Sequence, residues 1–169
     1  MKRIVSSLLL VLLWLGTLTA QTIGQWNAYP SYMDATKCVA LDGVVYTQCA
    51  GNLFAYDVED ESVQLFDCLT QLNDVRIAQI GASTEAKRVI VVYHNCNIDP
   101  KGTKGGVHNI SALKDKNMSD KAIHSLTVVA DKAYIGTGFG FLVVDMKEGV
   151  VRDTYNLNRT VTGILFKEG

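Results

Sequence analysis

After residue 25 the 169-residue sequence has almost no helical periodicity, so apolar residues do not recur at the spacing that marks an amphipathic helix. It is also poor in the patterns that carry chemistry. His94, His108 and His124 are scattered, with neither His-Glu-x-x-His nor Cys-x-x-Cys, so nothing points to a metal centre. No Gly-x-Ser-x-Gly elbow is present, and no carboxylates stand paired at positions a repeat would bring together for glycoside chemistry. With Trp14 and Trp26 the only tryptophans, the Ser-x-Asp-x-Gly-x-x-Trp turns of sialidase-type enzymes cannot recur. No catalytic, cofactor-binding or metal-ligating residue is assigned, no cofactor is expected, and the chain reads as non-enzymatic.

One long apolar run is present, at the N-terminus. Lys2-Arg3 precede Ile4 to Leu15, interrupted only by Ser6-Ser7, and Gly16-Thr17-Leu18-Thr19-Ala20 follow. This is the pattern of an export signal over 1–20, with cleavage expected after Ala20. The run is short for a bilayer span, and no second stretch is long enough to cross a membrane. Removing Lys2 and Arg3 leaves fourteen basic residues against seventeen acidic, a net charge of −3. That balance gives no reason to expect nucleic-acid binding.

What fills the rest is a repeat. Three stretches follow one plan: an alternating apolar strand, a tight turn, a second strand, a third ending near an aspartate, and a closing strand. The first carries Val44-Val45-Tyr46, then Gly51-Asn52-Leu53-Phe54-Ala55-Tyr56-Asp57, then Val63-Gln64-Leu65-Phe66. The second offers Ile77-Ala78-Gln79-Ile80, Val89-Ile90-Val91-Val92-Tyr93 and a decayed Asn95-Cys96-Asn97-Ile98-Asp99. The third gives Ile123 to Val129, Ala133-Tyr134-Ile135, Phe139 to Asp145 and Val150 to Tyr155. Tyr46 to Asp57 and Tyr134 to Asp145 are equally spaced, which predicts two hairpins in the same register. Short β-branched and aromatic runs bounded by Gly, Asn and Asp are strand signals, and a unit of about forty residues with four strands has the size of a β-propeller blade.

The expected fold is therefore all-β, a partial propeller over 21–169. Its blades span about 35–72, 73–119 and 120–158, and a fourth begins at 159 with the strand Thr160-Val161-Thr162-Gly163-Ile164-Leu165-Phe166. Propellers close with four to eight blades, so a fragment of a larger ring is expected.

Several features have structural readings that outweigh functional ones. Gly136-Thr137-Gly138-Phe139-Gly140 lacks the following helix and the Gly-Lys-Ser/Thr ending of a phosphate loop, so its glycines are expected to serve a turn and close strand packing. Asp57-Val58-Glu59-Asp60-Glu61-Ser62 lacks the spacing of a calcium loop and reads as a solvated hairpin turn, with Asp67 beyond it at the surface. Lys101-Gly102-Thr103-Lys104-Gly105-Gly106 reads as an exposed basic loop that replaces most of a hairpin and is available to an anionic partner. Asn109-Ile110-Ser111, Asn117-Met118-Ser119 and Asn158-Arg159-Thr160 match the N-glycosylation sequon. In an exported chain Cys38, Cys49, Cys68 and Cys96 fall on one face of the blades. At least one disulfide is expected with its connectivity open, buried free thiols being the alternative.

With a propeller in view, particular stretches carry a resemblance. Trp26-Asn27-Ala28-Tyr29-Pro30-Ser31-Tyr32 with Ala35-Thr36, then Gly51 to Asp57, Asn95 to Asp99, Asn109-Ile110-Ser111, and Thr137-Gly138-Phe139-Gly140 with Asp153-Thr154-Tyr155 resemble, in order, the N-terminal propeller of PorZ-type proteins of the bacterial type IX secretion system. The resemblance implies an export signal, two seven-bladed propellers and a C-terminal β-sandwich that acts as secretion signal. It implies a place at the periplasm or outer-membrane cell surface, in an attachment complex with a sortase-like subunit and outer-membrane subunits. There the protein would bind anionic lipopolysaccharide and supply it to the sortase without catalysing the transfer. The cysteines depart from the pattern, notably Cys96 where the hairpin usually has glycine, and no site residue carries over. The competing reading is the extracytoplasmic sensor propeller of a two-component regulatory kinase.

Overall fold

The computed structural model describes residues 29, 31–69, 71–102, 108–118 and 120–167. The expected export signal, residues 26–28 and 30, residues 103–106 of the basic segment and Ser119 lie outside the described residues. What is described holds eleven strands and no helix: β1 Ala35–Leu41, β2 Val44–Cys49, β3 Asn52–Asp57, β4 Val63–Phe66, β5 Ile77–Ser83, β6 Arg88–Tyr93, β7 Ile98–Gly102, β8 Ile123–Val129, β9 Lys132–Thr137, β10 Gly140–Asp145 and β11 Val150–Asn156.

They form three antiparallel meanders, β1-β2-β3-β4, β5-β6-β7 and β8-β9-β10-β11, the all-β propeller plan expected from the repeat. The register also matches. Val44 pairs with Asp57 as Lys132 pairs with Asp145, and Tyr46 faces Ala55 as Tyr134 faces Val143. Both aspartates then do the same work. Asp57 Oδ1 accepts from the Glu59 N–H, and Asp145 Oδ1 from those of Lys147 and Glu148, so each strand ends in a turn closed by its own carboxylate. The β1–β2 hairpin turns at Asp42-Gly43, both at positive φ, as a tight hairpin following the strands' right-handed twist requires.

One feature of the repeat is invisible in the hydrophobic pattern. Each first strand carries an irregularity one residue in, between Ala35 and Lys37, Ile77 and Gln79, and Ile123 and Ser125. These strands are neighbours, β5 lying against both β1 and β8, and the irregularity there exposes backbone carbonyls to the adjoining sheet. Gln48 takes up two of them, donating from Nε2 to the oxygens of Ile77 and Ala78.

The second sheet departs from the expected loop. Lys101 and Gly102 belong to β7, paired with Val89 and Arg88. Chain returning at His108 pairs with the outer edge of β7, His108 N–H donating to Pro100 O and Ile98 and Ile110 exchanging both bonds. This bridge stands where the other sheets have a fourth strand. Residues 160–167 make no ladder among the described residues. They cross the outer side of the third sheet instead, the Val161 N–H donating to Thr137 O and the Phe166 ring lying 4.5 Å from Tyr134. The strand expected at 160–166 is thus not formed; without ladder partners, the segment places its backbone groups against Thr137, Ser125 and Thr127 of the blade before it.

The core lies in two layers, one on each face of the second sheet. Leu41, Tyr46, Leu53, Phe66 and Leu72 meet Ile77, Ile80, Val89, Val91 and Tyr93 between the first and second sheets. Ile90, Val92 and Ile98 meet Ile135, Phe139, Leu142, Val144 and Met146 between the second and third. Alternation along β6 produces this division, since successive side chains point to opposite faces.

Candidate functional site

The features singled out in the sequence do not converge. His94, His108 and His124 are exposed and on different elements, and no group of three or more His, Cys, Asp or Glu among the described residues is placed to hold a metal ion. The Gly136–Gly140 glycines serve packing. A Cβ on Gly136 would overlap the Val161 carbonyl oxygen, and Gly140 sits at φ 151°. The four cysteines are free thiols, contrary to the expected bridge. The register explains this for Cys38 and Cys49, because Cys38 faces Thr47 while Cys49 faces Ala35. Cys96 instead directs its thiol to the Lys121 carbonyl oxygen at 2.9 Å. Of the sequons, Asn109 has its amide nitrogen engaged with Asp99 Oδ1 at 2.9 Å.

The place where polar groups do converge is the junction of the first two sheets, at the end holding the β2–β3 turn and the end of β4. An open groove of about 230 Å³ runs there, with Gly51, Asn52, Phe66, Leu72 and Asp74 along it. Two aspartates organise this junction, of which Asp74 lines the groove. Asp99, on β7, is fully buried and accepts from the Tyr93 hydroxyl at 2.6 Å, from the Asn73 backbone and side chain at 3.0 Å each, and from Asn109. Burial, followed by the bond to Asp99, pushes the Tyr93 phenol far above its ordinary range. This cluster ties β6, β7 and the chain on either side of the sheet into one piece.

Asp74 stands nearer the surface and accepts from Asn95, Asn97 and Lys114, the last at 3.2 Å. Burial alone would raise its carboxyl, but bonds from Asn95 and the Val75 N–H, with Lys114, hold it below the usual carboxylate value. Asn97 keeps its Oδ1 buried without a partner. Above the same junction the Lys101 ammonium sits 4.2 Å from the centre of the Phe66 ring. The basic segment read as an exposed loop thus begins with a lysine packed inside, because β7 continues two residues further than its sequence suggests.

The donors fixed on Asp74 and Asp99 hold the chain segments around this groove in place. A second surface, the outer face of the third sheet, is open and aromatic. Phe141 stacks on Tyr155 at 4.6 Å beside Tyr134, with Lys132 and Arg152 at its border.

The profile described as "TSS9, PorZ, N-terminal beta-propeller domain" matches residues 45–169. Among solved structures the chain is similar to PorZ, described as an essential bacterial surface component of the type IX secretion system of Porphyromonas gingivalis. The identity is 30% and the TM-score 0.73, covering 77% of this chain and 18% of that one. It is similar in fold to the extracellular domain of a putative hybrid two-component system from B. thetaiotaomicron, at 20% identity and TM-score 0.64, covering 87% of this chain and 20% of that one. No curated protein sequence matches the chain. The chain thus spans about a fifth of the length of the structures it resembles. The match across all three sheets, together with 30% identity to PorZ itself, places the chain in the family of N-terminal β-propeller domains of the type IX secretion system protein PorZ.

Proposed function

We propose that the chain is exported by its first twenty residues and serves, through its propeller, a non-catalytic surface component of a type IX secretion system. In this reading the protein binds anionic lipopolysaccharide and supplies it to a sortase within an attachment complex. The observation that carries it is the family match over 45–169. The geometry is compatible with presentation: three packed sheets hold the 71–76 and 108–118 segments through Asp99 and Asp74, and loops held in place can bind without doing chemistry. The sensor reading has support from fold alone, since the extracellular sensor domain is only 20% identical.

Deleting the gene tests the role. Secreted cargo should remain unprocessed or detached from the cell surface, and normal processing would sink the proposal. Mixing the exported protein with purified anionic lipopolysaccharide tests the ligand separately, with retention expected on the lipopolysaccharide and none on neutral lipid.

A further inference from the structure

Each sheet after the first turns one face to the sheet before it. In the second that face holds Val89 and Val91, and in the third Ala133, Ile135, Leu142 and Val144. The registers put Val45, Thr47, Phe54 and Tyr56 of the first sheet at the matching positions. Val45 pairs with Tyr56 as Ala133 pairs with Val144, and Thr47 with Phe54 as Ile135 with Leu142. No sheet precedes the first among the described residues, so this face is open. Leu65 and Val63 on β4 extend it, opposite Phe54 and Tyr56, and they are 52% and 59% exposed. A contiguous apolar face of this kind calls for a cover.

Two observations say what covers it. The chain entering β1 already lies on this face: the Ser31 carbonyl oxygen accepts from Asn52 Nδ2 at 2.9 Å, and Tyr32 meets the Phe54 ring edge to face, 6.0 Å between centres. Second, the chain leading into the other first strands supplies part of each buried layer. Phe66 and Leu72 ahead of β5 pack between the first and second sheets, and Ile110, Leu113 and Met118 ahead of β8 pack between the second and third. Ahead of β1 the sequence carries Ile23, Trp26 and Ala28.

Reach and tethering favour this occupant over a separate molecule. Trp26 precedes Tyr32 by six residues, which extended span about 20 Å, while Leu65 lies directly across from Phe54, about 5 Å away. A side chain tied so closely is held near the face at an effective concentration on the order of millimolar, which a partner in solution would have to exceed. An indole also brings more apolar area than most side chains.

We propose that residues 23–28 lie across the open face of the first sheet, with the Trp26 indole on Leu65 and Val63 beside Phe54. The N-terminal residues then do for the first sheet what the preceding sheet does for the other two. They also close this flank to other molecules. The inference does not depend on lipopolysaccharide or a sortase being the protein's ligands.

The test uses the full chain carrying Trp14→Phe, so that Trp26 is its only tryptophan. Its fluorescence should lie at the short wavelengths of a buried indole, and iodide should quench it severalfold less than it quenches N-acetyl-tryptophanamide. Leu65→Asp or Val63→Asp should move the emission to longer wavelength and restore the quenching. Leu157→Asp, at a leucine equally exposed beyond β11, should do neither. Retained amide protection in β5 and β6 shows that the variants are folded. An indole freely quenched in the parent, one unmoved by either first-sheet variant, or burial that vanishes on dilution, the sign of a second copy, would each overturn the proposal.

Discussion

The two faces of the second sheet solve the same packing problem by different means. Toward the third sheet, Ile90, Val92 and Ile98 meet Ile135, Leu142, Val144 and Met146 in a layer of hydrocarbon. Toward the first sheet, the same strands present Val89, Val91 and Tyr93 together with Asp99 and Lys101, and the layer is stitched by hydrogen bonds and a cation on an aromatic ring. The dry junction draws its strength from area removed from water, which is non-directional and tolerant of small shifts. The wet one adds to its own apolar layer donors and acceptors meeting in fixed places, which contribute less net energy but fix the geometry of the loops beside it. Loops that bind a partner are better held by the second kind.

The contrast is sharpest in what truncation does. Leu142→Ala on the dry side removes a fully buried side chain and should cost about 3 kcal/mol in urea denaturation, with hydrogen exchange accelerated in the second and third sheets. On the wet side Asp99→Asn leaves a single acceptor oxygen for four donors, and an unmet buried donor costs about 2 kcal/mol. Its signature should differ from that of the leucine. Exchange at Asn73 and around Asn109 should rise while the third sheet stays protected. Equal loss of protection in all three sheets from both variants would erase the distinction between the junctions.

Acid should separate them as well. The Asp74 carboxyl lies below its ordinary value in the folded chain. A depressed carboxylate contributes stability that is complete above the unfolded value near about 4 and is lost as pH falls through the lower folded value. Asp74→Asn should therefore cost about 1 kcal/mol at neutral pH and nothing once both forms are protonated. Denaturation midpoints of the two proteins, followed downward from neutrality, should converge as pH falls through the lowered folded value. A gap that persists there would show that Asp74 acts through shape rather than charge.

How much of this was readable beforehand follows the same division. The dry layer was legible because β-branched residues in alternation state which strands exist, and the equal spacing of Tyr46–Asp57 and Tyr134–Asp145 gave the register of two hairpins. The wet layer was not. Asp99 and Asn73 look like turn residues in the sequence, and only folding brings them and Asn109 together. The irregularity in β1, β5 and β8 left no mark because it changes pairing without changing composition. Lys101 was misplaced because Pro100 and Gly102 beside it are loop signals. Proline is tolerated in β7 since its missing N–H lies where only the short 108–110 segment would meet it.

Lys101 also offers the finest test of the comparison. Its ammonium gains from the Phe66 face and from Asp99, yet burial lowers its pKa, so the desolvation cost is the larger influence on the charge. The attraction over an aromatic ring amounts to about 1 kcal/mol when partly desolvated, and the cost of taking the ammonium from water is of similar size. Lys101→Met keeps the aliphatic stem against Phe66 and removes both contributions at once. It should change stability by less than about 0.5 kcal/mol. Lys101→Ala also removes the stem and should cost about 1 kcal/mol through lost packing. If methionine proves as costly as alanine, the charge itself holds the junction together, and the wet face is then a source of stability comparable to the dry one rather than a device for placing loops.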